Sequence, residues 1–371
     1  MQQEKRPNIL FILADDHGNG DISANNGPGV QTPNMDAIGR AGIRFNRFYA
    51  NSSVCSPSRA ALLTGRYPDR VGVPGVIRQV VENSWGYFDP SAVTLPDMLR
   101  KGGYETLHIG KWHLGLEEEN HPCERGFDEF QGFIDDMMDD YWTHRRFGKN
   151  GMRHNHDVID PEGHATDLFT AWAVDCIRDC KEAEKPFFMY LAYNAPHTPI
   201  QPPEEWVEKV REREPDLDDR RVRYVALVEH LDDGIGRVLE ALDETGLADN
   251  TIVVYTSDNG GFLDAGACND PFRGSKPDVY EGGIRVPCFV RWPGHTDPGT
   301  ETDEAAMLMD FFPTFCEIAD VPVAHTIEGR SIRPLLEGGT VDFSDRVYYW
   351  VRREGTSGKG ACAGNSHHAV R

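Results

Sequence analysis

Residues 54–66, VCSPSRAALLTGR, place a cysteine four positions ahead of an arginine at what reads as the start of a helix. Backbone N–H groups at a helix N-terminus lack partners and face the positive end of the macrodipole, so a side chain there sits where an anion binds. A thiolate nucleophile would gain from that setting. A small buried thiol is the plainer reading of Cys55, and a precursor of some other group is the third. Ser56 reads as the N-cap, Pro57 as a first-turn residue and Gly65 as the stop, while Arg59 adds a fixed charge one turn on. A phosphatase loop of the Cys-x5-Arg kind is excluded, because three residues intervene here and no glycine cradle is present.

Other residues of the same chemical kind are scattered along the chain. Asp15-Asp16 and Asp258-Asn259 offer three carboxylates and an amide oxygen, an all-oxygen set suited to a hard cation such as Ca²⁺ or Mg²⁺. Either pair alone is an ordinary turn after a strand; both together, each behind a predicted strand, favour the cation. His113 and His197 are acid/base candidates, and Lys111 and Lys276 supply positive charge. A single histidine is normally structural and a single lysine solvated. A cation, an anion seat and two acid/base groups are nevertheless what hydrolysis of an anionic ester requires.

The elements that must bring these residues together are visible as short apolar runs. NILFILA, YETLHI, FFMYLA, TIVVYT and PCFVRW read as strands buried on both faces, the pattern of a parallel sheet covered by helices. The first four run into Asp15-Asp16-His17, GKWHLG, NAPHTP and SDNG. In open α/β sheets ligands bind beyond the carboxyl ends of the strands, which is where these titratable groups fall. TLPDMLRKGG, with a Thr94–Asp97 capping box, and YVALVEHLDDGIGRVLEALDETG, stopping at Gly246, read as helices between strands. Cys176 and Cys180 share a helical face with Phe169, Trp172 and Ile177 and read as core. The expected fold is therefore α/β, a central mostly parallel sheet sandwiched by helices.

A length of 371 residues suits two domains or one large α/β unit with an appendage. Sixty acidic against 38 basic side chains leave a formal charge of −22, a field that repels polyanions and argues against nucleic acid as a partner. An anionic substrate would need a local positive focus. No apolar run approaches the ~20 residues that cross a bilayer, so no membrane partner is expected, and MQQEKRPNIL has no signal-peptide apolar region. Eight cysteines show neither a disulfide framework nor a CxxC zinc pattern.

At CSPSRAALLTGR the chain resembles the type I sulfatases of the alkaline phosphatase superfamily. RPNILFILADD, TPNMDAIGRAGIRF, GKWHLG, PHTP, TSDNGG and EGGIRVP accompany that signature in the family's order, over essentially the whole chain. The resemblance implies that Cys55 is oxidised to Cα-formylglycine by a formylglycine-generating maturation enzyme. One hydroxyl of the aldehyde hydrate would attack sulfur, and the other would later lose its proton and expel sulfate. It also implies a cation, usually Ca²⁺ with Mg²⁺ as the alternative, held by Asp15, Asp16, Asp258, Asn259 and residue 55. Arg59 and Lys111 would stabilise charge, His113 would be a base, and His197 with Lys276 would bind sulfate and assist the leaving oxygen. These cations would form the required positive focus.

The family commonly carries a smaller C-terminal subdomain. Residues 1–340 are expected to form the catalytic domain and 341–371 the beginning of that subdomain, which reads as incomplete. Export to the periplasm or outside is the family's habit, whereas the missing leader leaves a cytoplasmic place open. Substrate choice lies in loops, and YWTHRRFGKNGMRHNH, basic and aromatic in an acidic chain, is the stretch expected to grip a sulfated carbohydrate through Trp142, His144, Arg145 and Arg146. A solvated surface loop is the competing reading. Two rival functions are a formylglycine-dependent phosphodiesterase or phosphonate monoesterase, and a non-catalytic carbohydrate-binding homologue. SDNGG, with no histidine in that segment, fits the sulfatase pattern better than the first rival.

Overall fold

The computed structural model describes residues 6–183 and 185–354, and residues 367–370 as backbone. Its centre is five parallel strands: β1 (Asn8–Ala14), β2 (Glu105–Lys111), β3 (Glu129–Phe133), β4 (Phe187–Ala192) and β5 (Thr251–Ser257). They lie in the order β5-β1-β4-β2-β3 within a ten-stranded sheet. Antiparallel Cys288–Arg291 extends it on the β5 side, followed by Ile43–Phe45 and Thr300–Thr302, while the hairpin Met152–His154/Asp157–Val158 extends it beyond β3. All five predicted strands are present; PCFVRW alone runs against the others, because it returns from β5 without a crossover helix.

The sheet is buried on both faces because its central strands carry apolar side chains on both sides. In β1, Ile9, Phe11 and Leu13 enter one core while Leu10, Ile12 and Ala14 enter the other. The first face is covered by α2 (Cys55–Thr64), α3 (Leu95–Lys101) and α6 (Phe311–Ile318), the second by α1 (Pro33–Arg40), α4 (Ala165–Cys180) and the long α5 (Asp219–Thr245). The expected Thr94–Asp97 capping box forms at α3, and Gly246 ends α5 in the left-handed conformation. Cys180 is core and Cys176 packs against it, as their spacing predicts.

α2 departs from expectation at one point. The helix begins at Cys55 itself, with Val54 in extended conformation before it, so Ser56 is not the cap. Its hydroxyl instead accepts from Ile77 N–H at 3.1 Å, and Ser58 closes the turn through Ser52, accepting from its N–H and donating to its carbonyl, both at 3.0 Å. Gly65 stops the helix at φ +67°, where a Cβ would lie 2.9 Å from the Phe312 ring.

The expected C-terminal subdomain, residues 341–371, is described through Glu354 and as backbone at 367–370; residues 355–366 and 371 lie outside the described residues. The described part packs on the large unit. Arg346 grips buried Asp310 with bonds of 2.8 and 2.6 Å, and the Trp350 indole donates to Ala50 O at 2.8 Å. Tyr349–Arg352 pairs with His367–Val370. Among the described residues no helix is long and apolar enough to cross a membrane.

Candidate active site

The ends of the parallel strands converge on one point. Asp258 N–H donates to Ala14 O and Asp15 N–H to Ala195 O, both at 3.1 Å, so the loops after β5, β1 and β4 are tied together by backbone. Asp16 follows with φ +67°, a conformation that aspartate tolerates better than most residues. Gly260 lets the SDNGG loop approach the EGG segment, since a Cβ there would lie 1.9 Å from Gly282 O. Lys276 is thereby anchored beside the strand ends, its N–H donating to Gly261 O at 3.1 Å.

Three carboxylates and three cations interlock there. Arg59 donates from Nε and Nη2 to Asp258 Oδ2 at 3.0 and 2.8 Å and from Nη1 to Lys111 O at 3.0 Å. Lys111 Nζ donates to Asp15 Oδ2. Lys276 Nζ donates to both Asp16 oxygens at 2.7 and 2.8 Å and lies 3.4 Å from Cys55 Sγ. Formal charges cancel, so a bound dication would leave a net positive site for an anion.

The donors fit such a cation. Asp15 Oδ1 and Asn259 Oδ1 are buried with no hydrogen-bond partner among the described residues, and Asn259 Nδ2 is turned to Asp16 Oδ1 at 2.7 Å, which leaves its oxygen for another partner. Unpaired buried acceptors are costly unless something positive meets them. Asp15, Asp16, Cys55 and His197 each offer a ligand atom, all within 4.8 Å of one another. Asp258 shares the cluster, with one oxygen taken by Arg59 and the other accepting from Asp16 N–H at 3.3 Å.

Burial, opposed in part by Lys276 and Lys111, pushes the Cys55 thiol far up. An unmodified Cys55 is therefore a neutral thiol and a poor nucleophile, against the thiolate reading. Asp15 is held well below the usual carboxylate range although burial opposes it, first by the Lys111 ammonium. Asp258 is pushed up by burial and then by Asp15. Arg59 and Lys276 stay charged despite burial because Asp258 and Asp16 face them.

The two histidines are set differently. His113 Nε2 lies 3.0 Å from Ile77 O, so that nitrogen carries the proton, and buried Nδ1, without a partner among the described residues, presents a lone pair. Burial, then Lys111 and Arg59, lower its pKa well below the ordinary imidazole value. His197 Nδ1 lies 2.7 Å from Thr198 O, while Nε2 faces Asp16 Oδ2 at 3.6 Å. Burial and Lys276 lower its pKa as well.

Above this floor opens a cavity of about 330 Å³ lined by Asp16, Cys55, His113, His197 and Lys276 among others. Of the four residues expected to grip substrate, Arg146 alone lines it, held by Asp136 at 2.9 and 3.0 Å. Trp142, His144 and Arg145 do not. His144 is buried, with Nε2 2.9 Å from Gly163 O, Arg145 is clamped by Asp160, and Trp142 sits edge-on to His164. Arg78, Asp136, Arg352 and Glu354 line the cavity without having been singled out in the sequence. Arg78 and Glu354 meet at 2.9 Å across 276 positions, and no local pattern announces such a pairing.

Residues 7–321 match the family model described as Sulfatase. The chain is 34% identical over 369 residues to N-acetylgalactosamine-6-sulfatase of Homo sapiens, covering 93% of this chain and 68% of that protein. It is 34% identical over 357 residues to Homo sapiens arylsulfatase A, covering 90% and 68%. Among solved structures, Ps i-CgsB in complex with k-i-k-neocarrahexaose superposes with a TM-score of 0.90 at 31% identity, covering 99% of this chain and 82% of that one.

Proposed function

The chain belongs to the sulfatase family and is a sulfuric ester hydrolase, and from that premise we propose that it desulfates a sulfated carbohydrate through a formylglycine derived from Cys55. The observation that carries this reading is the placement of Cys55: first residue of α2, fully enclosed, beside Lys276 and the oxygens of Asp15 and Asp16. A thiol kept protonated there has no nucleophilic use, whereas an aldehyde hydrate supplies a hydroxyl nucleophile and a second hydroxyl for release of sulfate. The maturation enzyme that makes the aldehyde is then an obligate partner.

Asp15, Asp16, Asn259 and Asp258 would hold the divalent cation, Ca²⁺ by preference for an all-oxygen set and Mg²⁺ otherwise; when bound it would orient the nucleophile and draw charge from a sulfate oxygen. The remaining work falls to side chains of the chain itself. Arg59 fixes Asp258 and the backbone of Lys111. Lys276 at the cavity, with Lys111 behind it on Asp15, would offset the sulfate charge. His113 Nδ1, with Nε2–H committed to Ile77 O, accepts a proton from the hydroxyl at residue 55. His197, with Nδ1–H committed to Thr198 O, can carry a second proton on Nε2 and deliver it to the leaving oxygen.

Carbohydrate is supported by the names of the relatives and by the cavity. Its volume of about 330 Å³ suits roughly one sugar ring with its sulfate, and the Arg146–Asp136 and Arg78–Glu354 pairs at its wall offer donors and acceptors to hydroxyls. We extend the same reading to residues 341–371 as a smaller C-terminal subdomain and to a location in the periplasm or outside the cell. The deciding experiment is a peptide mass spectrum across residues 55–59 from protein co-produced with a formylglycine-generating enzyme, paired with sulfate release. A loss of ~18 mass units at Cys55 that scales with activity is expected; activity in protein with an intact thiol would overturn the mechanism. Faster turnover of a phosphate diester than of an aryl sulfate would replace the substrate class.

A further inference from the structure

Away from the active site, the loop that leaves β2 brings two short turns, Glu118–Asn120 and Pro122–Arg125, against the tip of the edge hairpin, where Asn155 and His156 form the turn. His121, Cys123 and His156 each present a ligand atom, all within 4.8 Å of one another, and His156 is equally close to Glu118 and Glu124. We propose that His121, Cys123 and His156 form a second metal site for a borderline divalent cation of the Zn²⁺ class, with Glu118 or Glu124 as the fourth donor.

The donor chemistry selects the metal: two imidazoles, a thiol and a carboxylate suit Zn²⁺ and disfavour Ca²⁺ or Mg²⁺. Tetrahedral Zn²⁺ with bonds of about 2.0–2.3 Å needs its donors roughly 3.3–3.8 Å apart; the His121 and His156 rings now stack at 4.2 Å and 24°, so binding requires the half-exposed His156 to rotate out of the stack. Two features of the cluster bear on a cation. His121 is 9% exposed, and its Nε2 makes no hydrogen bond of normal geometry among the described residues. His156 faces Glu118 from Nδ1 at 3.4 Å and Glu124 from Nε2 at 3.6 Å. Each ring nitrogen therefore has a carboxylate in front of it, and a cation placed between one nitrogen and its carboxylate would bond both. The other carboxylate would then accept the remaining N–H and orient the ring, the usual arrangement behind a metal-bound histidine.

The frame around the site is already fixed. Asn155 Oδ1 accepts from Phe130 N–H at 2.9 Å and from the Cys123 thiol at 3.5 Å, and Asn155 N–H donates to Phe130 O at 2.7 Å. The Trp112 indole, between Lys111 and His113, donates to Asn120 O at 2.8 Å. A metal there would staple the loop that follows two active-site residues to the edge of the sheet.

The test uses the full chain in a Cys55→Ala background, so that no thiolate signal can come from the active site. After stripping with a chelator, Co²⁺ is titrated as a spectroscopic probe and Zn²⁺ as competitor. Expected are one equivalent of tetrahedral Co²⁺ with a sulfur-to-metal charge-transfer band, displaced by Zn²⁺, and a higher Tm with Zn²⁺. Cys123→Ser should remove the band, and His156→Ala should weaken Co²⁺ binding by roughly 100-fold or more. Absence of the band, or a band undiminished by Cys123→Ser, overturns the site. Should Cys123→Ser fail to fold, the half-exposed His156 decides, and unchanged affinity in His156→Ala overturns it equally.

Discussion

Arg59 and Arg145 each hold a carboxylate through two nitrogens, one at the floor of the cavity and one on the loop beside it. Arg59 grips Asp258 at 3.0 and 2.8 Å with neither side chain exposed. Arg145 grips Asp160 at 2.9 and 2.7 Å with the two side chains 31% and 62% exposed. Similar distances therefore carry unequal weight. An exposed pair is worth about 0–1 kcal/mol, whereas removing one partner of a buried pair strands a charge and costs about 3–5 kcal/mol. The floor spends stability to hold charges out of water where chemistry needs them; the loop merely holds its shape.

The comparison is broken most severely at the nucleophile. Cys55→Ala removes the group that becomes the aldehyde and should lower sulfate release by roughly 10⁴-fold or more, with the fold retained because the residue is small and uncharged. Unchanged turnover at any conversion level would sink the mechanism. Arg59→Ala should do both kinds of damage. Asp258 and Asp15 lose their shared cation, unfolding free energy drops by about 3–5 kcal/mol, and turnover falls with it. Denaturant unfolding reads the first effect; a loss below about 1 kcal/mol would mean that the floor is no more tightly wired than the loop.

The floor was readable in the sequence because most of its residues close an apolar run whose strand ends in space beside the others. Asp15-Asp16, Lys111, His113, His197 and Asp258-Asn259 inherit their meeting point from strand order, and Cys55 with Arg59 from a helix start. The wall was not readable, for two reasons. Basic and aromatic composition at 141–156 reported charge without direction: His144 turned inward to a carbonyl and Arg145 outward to Asp160. Arg78, Arg352 and Glu354 come from loops and an end strand whose approach depends on packing around Trp350 and Arg346 rather than on any local period. Ser56 failed as a cap for a similar reason, since its hydroxyl had a tertiary partner in Ile77. The His121–Cys123–His156 cluster escaped notice because its third member lies on a hairpin turn 33 positions beyond Cys123.

A smaller effect sharpens how far the buried polar pattern extends below the floor. His108, inside the sheet with Nδ1 3.0 Å from Tyr190 O, is lowered by burial to about 3. The unfolded chain takes up a proton there below pH 6.5 and the folded one does not, so this contribution is complete above pH 6.5 and fades as pH falls toward 3. Urea unfolding should show a loss of about 1 kcal/mol per pH unit from this group, and His108→Phe, which keeps the ring stack on Phe130 and Tyr190, should flatten that slope. A slope unaltered by the substitution would assign the acid sensitivity to other groups.

The finest distinction lies between neighbours. Arg146 lines the cavity, its side chain 13% exposed and bound to Asp136 and Asp139, whereas Arg145 beside it does not. If the wall recognises sugar, Arg146→Ala should raise KM by about 10-fold with little change in kcat, the mark of lost uniform binding. Arg145→Ala should leave KM within about twofold and the denaturant midpoint unchanged. Steady-state kinetics on one sulfated saccharide reads both. Equal effects from the two variants would mean that substrate reaches past the cavity onto the loop, and that the basic composition of residues 141–156 carries recognition after all.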